Sequence, residues 1–265
     1  MLPDIINPVR RRLEADELAL GMVVRMARSG DIARIAATSG HDFLFLDVQH
    51  AIYSLETISH IAQVALGCGV APFVRVRSCR DPNIPVMLDA GVTGIVAPDV
   101  NTADDARAAV QACKFAPIGT RSVTSGYPIF NYRPVPMQET IALLNTNTLV
   151  VCMIESLEGL GNIDAIAAVE GVDVLHVGLT DMLADMGKPG AYGDPQAMEA
   201  VARITASALA HGKYAGVGGD NDPMRQQVFL RQGVRFISTQ SDGAMLLNAA
   251  TKVAGNLRRL ASEAG

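Results

Sequence analysis

A chain of 265 residues, 49% of them hydrophobic, is long and apolar enough for one large buried core. A formal net charge of -5, aromatics at 5% and no tryptophan offer no basic face for duplex nucleic acid and few aromatic platforms for bases or sugars. Cys68, Cys79, Cys113 and Cys152 lack the paired spacing of a zinc ribbon or disulfide frame, and no apolar run approaches the roughly 20 residues of a membrane span. With no basic-then-apolar leader at the start, the expectation is a reduced, cytoplasmic protein that binds neither nucleic acid nor membrane.

In chain order, the basic run Arg10, Arg11, Arg12 is followed at once by Glu14, Asp16 and Glu17 and reads as a solvated first helix. A β-rich run at 20–26 precedes a helix at 31–37. The pattern repeats with a strand at 43–47 and a helix at 55–66, a strand at 72–76 and a helix at 84–90, then a strand at 94–98. A helix at 103–115 follows, with Thr102 as its N-cap. The segment 117–147 breaks the rhythm and carries Pro128, Pro134 and Pro136; such insertions in compact domains are lids or subunit contacts. Strands at 149–154, 174–178, 214–217 and 235–239 then alternate with helices at 163–169, 195–211, 223–232 and 245–261. Several strands are continuous apolar runs, as a parallel sheet covered by helices requires. Eight such units in one chain predict a single closed (β/α)8 barrel spanning 1–265.

Chemistry in such barrels sits at the C-terminal strand ends. The polar residues there are Asp47, Gln49 and His50, then Arg75, Glu155, Thr180 and Asp181, with Gly218, Gly219 and Asp220 after the seventh strand. Glu155 ends an apolar strand and needs a cation if buried. Glu155 and Asp181 on neighbouring strands suit a hard divalent cation such as Mg²⁺ or Mn²⁺; the alternative is that both cap loops or helix N-termini. Asp47 stands three residues before His50, a spacing that suits a carboxylate orienting an acid/base imidazole. Of the four lysines, Lys114, Lys188, Lys213 and Lys252, none reads as an inward position near the C-terminal end of a strand, so a Schiff base has no candidate. Gly216 to Gly219 reads as a tight turn before it reads as a phosphate cradle.

At these residues the chain resembles the HpcH/HpaI family of class II, metal-dependent pyruvate aldolases. The resemblance runs from about Gly21 to Leu246 through Phe45-Leu46-Asp47-Val48-Gln49-His50, Pro72-Phe73-Val74-Arg75-Val76, Leu88-Asp89-Ala90-Gly91 and Ala97-Pro98. It continues through Pro117-Ile118-Gly119-Thr120-Arg121-Ser122, Met153-Ile154-Glu155, Gly178-Leu179-Thr180-Asp181 and Asp185-Met186-Gly187. It implies a TIM barrel of the phosphoenolpyruvate/pyruvate-binding type that cleaves a 4-hydroxy-2-oxo acid to pyruvate, or an analogue such as hydroxypyruvate, and an aldehyde. Glu155 and Asp181 resemble the ligands of Mg²⁺, Mn²⁺ or Co²⁺. Arg75 resembles the arginine at the enolate oxygen, and His50, backed by Asp47, the acid/base. Asp89 resembles an acidic residue that reaches a neighbouring subunit's site. Gly178 and the amides of Thr180 and Asp181 correspond to the substrate-carboxylate site, and Ser125 to the aldehyde pocket. The C-terminal helix is expected to pack on a partner barrel, in a hexamer built as a trimer of dimers.

Four positions depart from the family pattern: Leu179 stands for a proline, Met182 for a leucine, Ile52 for a proline and Gln49 for a glutamate of some relatives. An acyl-CoA lyase or citrate-type synthase would use the same enolate chemistry, and a non-catalytic carboxylate-binding barrel would use the site without turnover.

Overall fold

The computed structural model describes residues 7–264. Eight parallel strands close into a barrel in sequence order. They are β1 (Ala19–Val24), β2 (Phe43–Asp47), β3 (Ala71–Arg75), β4 (Gly94–Ala97), β5 (Leu149–Ile154), β6 (Val174–Gly178), β7 (Tyr214–Gly218) and β8 (Val234–Ser241). The helices are α1 (Pro8–Glu14), α2 (Asp31–Thr38), α3 (Leu55–Gly67), α4 (Ile84–Asp89), α5 (Ala103–Cys113), α6 (Met137–Asn147), α7 (Leu157–Gly161), α8 (Ile163–Ala167), α9 (Leu179–Asp185), α10 (Pro195–Ala210), α11 (Pro223–Gln232) and α12 (Asp242–Glu263). Thr102 caps α5 as expected, within a reciprocal capping box with Asp105.

Side-chain alternation along the strands builds two cores. Outward residues pack under the helices, for example Leu44, Leu46 and Val74 against Ile58, Ile61 and Ile84. Inward residues fill the barrel: Phe43, Phe45, Phe73, Val96, Val151, Met153 and Phe236 form one cluster. Phe43 stacks on Phe236 at a centroid separation of 4.4 Å and meets Phe73 at 5.2 Å. The same cluster includes Val9 and Leu13, so α1 plugs the barrel floor with its apolar face. Of its basic run, Arg10 pairs with Asp173 (2.6 Å) and Arg12 with Asp42 (2.5 Å). The first helix is therefore a floor plug rather than simply a solvated one.

The inserted segment holds a 3-10 turn at Pro128–Phe130 and α6, with its own small core of Phe115, Tyr127, Phe130 and Leu144. Pro128 and Ile129 share a groove with Asn7, Ala71 and Thr93, at the N-terminal end of the strands. It does not cover the C-terminal mouth of its own barrel. At the other extreme of exposure, α12 buries Asp242 but leaves Leu246, Leu247, Val253, Leu257 and Leu260 each more than half exposed. No helix among the described residues is long and apolar enough to cross a membrane.

Candidate active site

Parity along each strand decides what reaches the barrel mouth. Phe43 and Phe45 face inward, so Asp47 does too; Phe73 sets Arg75, and Val151 and Met153 set Glu155. Asp47 and Arg75 are direct register partners on β2 and β3. The guanidinium grips the carboxylate with two bonds, Nε to Oδ1 at 2.9 Å and NH2 to Oδ2 at 2.7 Å. Arg75 also lies over the Phe45 ring at 5.5 Å, and NH1 turns toward Met153 Sδ at 3.9 Å. A second arginine, Arg25, donates Nε to Asp47 Oδ2 at 2.6 Å. Burial opposes the charge on Asp47, but the hydrogen bonds and charges of Arg75 and Arg25 prevail and hold its carboxyl below the usual range.

The expected pairing of Asp47 with the His50 ring is replaced by this arrangement. Asp47 meets His50 only through the His50 backbone N–H, at 3.3 Å. The register of β2 against β3 gives the carboxylate to Arg75 first, and the exposed imidazole stands at the cavity mouth.

Glu155 is in the opposite condition. It is buried, Oε1 accepts the Asp99 amide at 2.8 Å, and Oε2 has no partner among the described residues. Asp99 holds that amide in place from a left-handed conformation, φ 53°. Burial, with Asp99 and Asp181 as nearby negative charges, pushes the Glu155 carboxyl up to about 7. Gly178 makes the approach possible, since a Cβ there would lie 2.4 Å from Glu155 Oε2. α9 begins directly at Leu179, with no intervening loop, and presents Thr180 and Asp181 at the mouth.

The cavity at the C-terminal strand ends has a volume of about 530 Å³, the size of a small-molecule site. His50, Arg75, Gly178, Thr180 and Asp181 line it. Asp89 and Ser125 do not. Asp89 pairs with Arg121 at 2.7 Å, and Ser125 is exposed on the inserted segment. Among the described residues no group of three or more His, Cys, Asp or Glu side chains stands close enough to hold a metal by itself. The candidate pair is Glu155 and Asp181, which leaves most of a hard cation's oxygen positions to water and substrate. Lys114, the buried lysine, donates to Asn145 O at 2.7 Å and faces Asp173, far from this chemistry.

Two cavity residues escaped the sequence reading. His176 has the inward parity of Gly178 and is fully buried, with Nε2 3.3 Å from Ser238 Oγ. Glycines on β7 make its room: a Cβ on Gly216 would lie 2.6 Å from His176 Nδ1. Arg25 follows inward Ala19, Gly21 and Val23 at the same parity, just past the end of β1. Counting inward positions two at a time from Gly21 and from Gly178 finds both.

Residues 22–249 match the sequence model of the HpcH/HpaI aldolase/citrate lyase family. The chain is 36% identical over 258 residues to the 4-hydroxy-4-methyl-2-oxoglutarate aldolase cghB of Chaetomium globosum, covering 96% of each chain. It is 32% identical to a hydroxypyruvate/pyruvate aldolase of Cupriavidus necator, over 97% of this chain and 95% of that one. Its fold superposes on the crystal structure of an HpcH/HpaI aldolase from Desulfitobacterium hafniense with a TM-score of 0.89 and 26% identity, covering 94% of this chain and 96% of that one.

Proposed function

The chain belongs to the HpcH/HpaI aldolase/citrate lyase family, and we propose that it is a metal-dependent aldolase that reversibly cleaves a 4-hydroxy-2-oxo acid. The products are pyruvate, or a close analogue such as hydroxypyruvate, and a second carbonyl compound. It is a carbon–carbon lyase, as its named relatives are.

One observation carries the metal reading: Glu155 Oε2 is buried without a partner among the described residues, with the Asp181 carboxylate nearby. The two carboxylates repel unless Glu155 takes up a proton or a cation joins them. Glu155 and Asp181 would hold Mg²⁺, Mn²⁺ or Co²⁺. When bound, the cation supplies the Lewis acidity that makes protons beside a 2-oxo group removable. Arg75, fixed by Asp47, offers NH1 to the oxygen on which negative charge develops. Gly178 and the backbone of Thr180 and Asp181 receive the substrate carboxylate. His50, exposed at the mouth, takes the proton from the 4-hydroxyl as the C3–C4 bond breaks and returns it in synthesis.

Asp89 and Ser125 lie outside this chain's cavity, so a role for either falls to a neighbouring subunit's site. The exposed apolar stripe of α12 supports an assembly in which that helix packs on a partner barrel, in a hexamer of three dimers.

The test is exchange of the pyruvate methyl protons in deuterated water, followed by NMR, and then aldol addition to a panel of carbonyl compounds. Exchange should vanish with EDTA and return with Mg²⁺, Mn²⁺ or Co²⁺. A lysine adduct of pyruvate trapped by borohydride would overturn the mechanism.

A further inference from the structure

We propose that Ser238, its hydroxyl hydrogen turned into the cavity by His176, is a neutral hydrogen-bond donor to the carboxylate of the bound 2-oxo acid. The inference rests on the aldolase reading above and adds to that site a binding residue and the residue that positions it.

Both side chains line the cavity and both are buried. His176 Nε2 stands 3.3 Å from Ser238 Oγ, whereas Nδ1 is buried with no partner among the described residues. Burial keeps the imidazole neutral, so it carries one proton, on one nitrogen or the other. With the proton on Nδ1, a buried N–H would face Gly216 with no acceptor. With the proton on Nε2, Nδ1 is only a bare acceptor, and folded proteins leave acceptors unmatched more readily than N–H groups. The bond therefore runs from Nε2–H to Ser238 Oγ. Among the described residues that oxygen has no other hydrogen-bond partner, so the serine's own hydrogen is left for whatever enters the cavity. A bond made only to tie β6 to β8 would strand that hydrogen in a buried place.

The ring that aims the serine is packed in place. Phe236 meets it edge-on at 5.5 Å and Phe45 lies at 6.3 Å. Register then sets the hydroxyl beside the substrate. Gly178 pairs with Gly218, and Gly218 with Ser238, so the three form one row around the barrel wall. Gly218 has no side chain to separate its neighbours, and a Cβ there would overlap Ser238 Oγ. The hydroxyl leans over Gly218 toward Gly178, where the proposed function seats the carboxylate. A hydroxyl left only its donor role suits a carboxylate, which can only accept, and the negative charge strengthens the bond.

Two measurements on the Mg²⁺-loaded protein test this. Nitrogen-15 NMR of the histidine rings, with His176 assigned through its contacts with the Phe45 and Phe236 rings, should show the proton on Nε2 and none on Nδ1. A proton on Nδ1 overturns the proposal. Pyruvate is then titrated calorimetrically into wild type, Ser238→Ala, Ser238→Thr, His176→Phe and the Ser238→Ala/His176→Phe double variant. Ser238→Ala should weaken binding by about 10–100-fold, the span of one hydrogen bond to a charged group. Ser238→Thr keeps the hydroxyl and should recover most of that loss. His176→Phe frees the hydroxyl to rotate and should weaken binding by a smaller factor. In the double variant it should add nothing, because it acts through the serine. Wild-type affinity in Ser238→Ala, or losses that multiply in the double variant, overturns the proposal. Pyruvate methyl exchange by the wild type is read in parallel. Exchange without a Ser238-dependent affinity leaves the aldolase reading standing and removes this one. A Ser238-dependent affinity without exchange does the reverse, and a wild type that does not bind pyruvate removes both.

Discussion

Asp47 and Glu155 occupy equivalent places, each inward-facing at the C-terminal end of a barrel strand, and both are buried. Their surroundings are opposite. Asp47 receives two guanidinium groups and is held ionised, whereas Glu155 receives one amide, has an oxygen with no partner among the described residues and is pushed up to about 7. Among the described residues one half of the mouth is a complete ion pair, and the other keeps a buried oxygen without a hydrogen-bond partner. A finished ion pair positions; an unfinished carboxylate binds. The β2–β3 side therefore orients Arg75, and the β5–β6 side is where the proposed cation would bind.

The sharpest way to break that contrast is to neutralise each carboxylate without changing its shape. Glu155→Gln should remove turnover by three decades or more, since loss of the bound cation forfeits roughly 4 kcal/mol of charge stabilisation. In chelator at pH 8 the same variant should be more stable than wild type by roughly 1–3 kcal/mol, because an ionised carboxylate no longer has to be buried unpaired. Asp47→Asn should go the other way and cost roughly 3–5 kcal/mol, since it strands the buried Arg75 charge. Urea unfolding of the three metal-free proteins reads both signs at once. Two destabilised variants would erase the distinction drawn between the sites.

A smaller effect is expected at Arg75. Arg75→Lys keeps a charge but loses both the two-bond grip on Asp47 and the NH1 group, which meets only Met153 Sδ. Pyruvate methyl exchange should fall by roughly 10²–10³-fold, the range for losing one oxyanion donor. Near-normal exchange in this variant would remove Arg75 from the enolate site.

The sequence made the barrel legible because its strands are long apolar runs at regular intervals, and a rim residue can be counted from the end of such a run. It was less informative wherever a contact depends on register or on distant residues. Asp47 was assigned to His50 by proximity in sequence, but β2–β3 register hands it to Arg75. The first strand was extended to 26 on hydrophobicity, yet it stops at Val24. Asp242, more than 200 residues away, takes the amides of Arg25, Met26 and Ala27 out of the sheet. The inserted segment, read as a lid or subunit contact, shows no helix in its proline-rich pattern, yet α6 begins directly after Pro136. The last helix has the pattern of a closing helix; the family resemblance alone points it to a partner barrel, and the fold leaves its apolar stripe exposed.

His176 tests whether the cavity floor belongs with the finished half or the unfinished half of the mouth. Burial, helped by the nearby charge of Arg75, lowers its imidazole to about 3, so it is neutral in the fold. The unfolded chain takes a proton at this side chain below about pH 6.5, whereas the folded protein resists it until about 3. Between those values the unfolded state binds more protons, so stability falls as pH drops, by about 1.4 kcal/mol per pH unit from this group alone, and the term is absent above the window. His176→Phe removes the titration and places a ring where Phe45 and Phe236 already flank the site. Between pH 6.5 and 5 the wild type should lose roughly 2 kcal/mol more than the variant in urea unfolding, in chelator so that metal release does not contribute. Equal pH slopes would mean that His176 takes up its proton near pH 6.5 in the folded protein, as it does in the unfolded chain. The floor would then gain a positive charge below that pH, beside Arg75, and would no longer be a neutral surface.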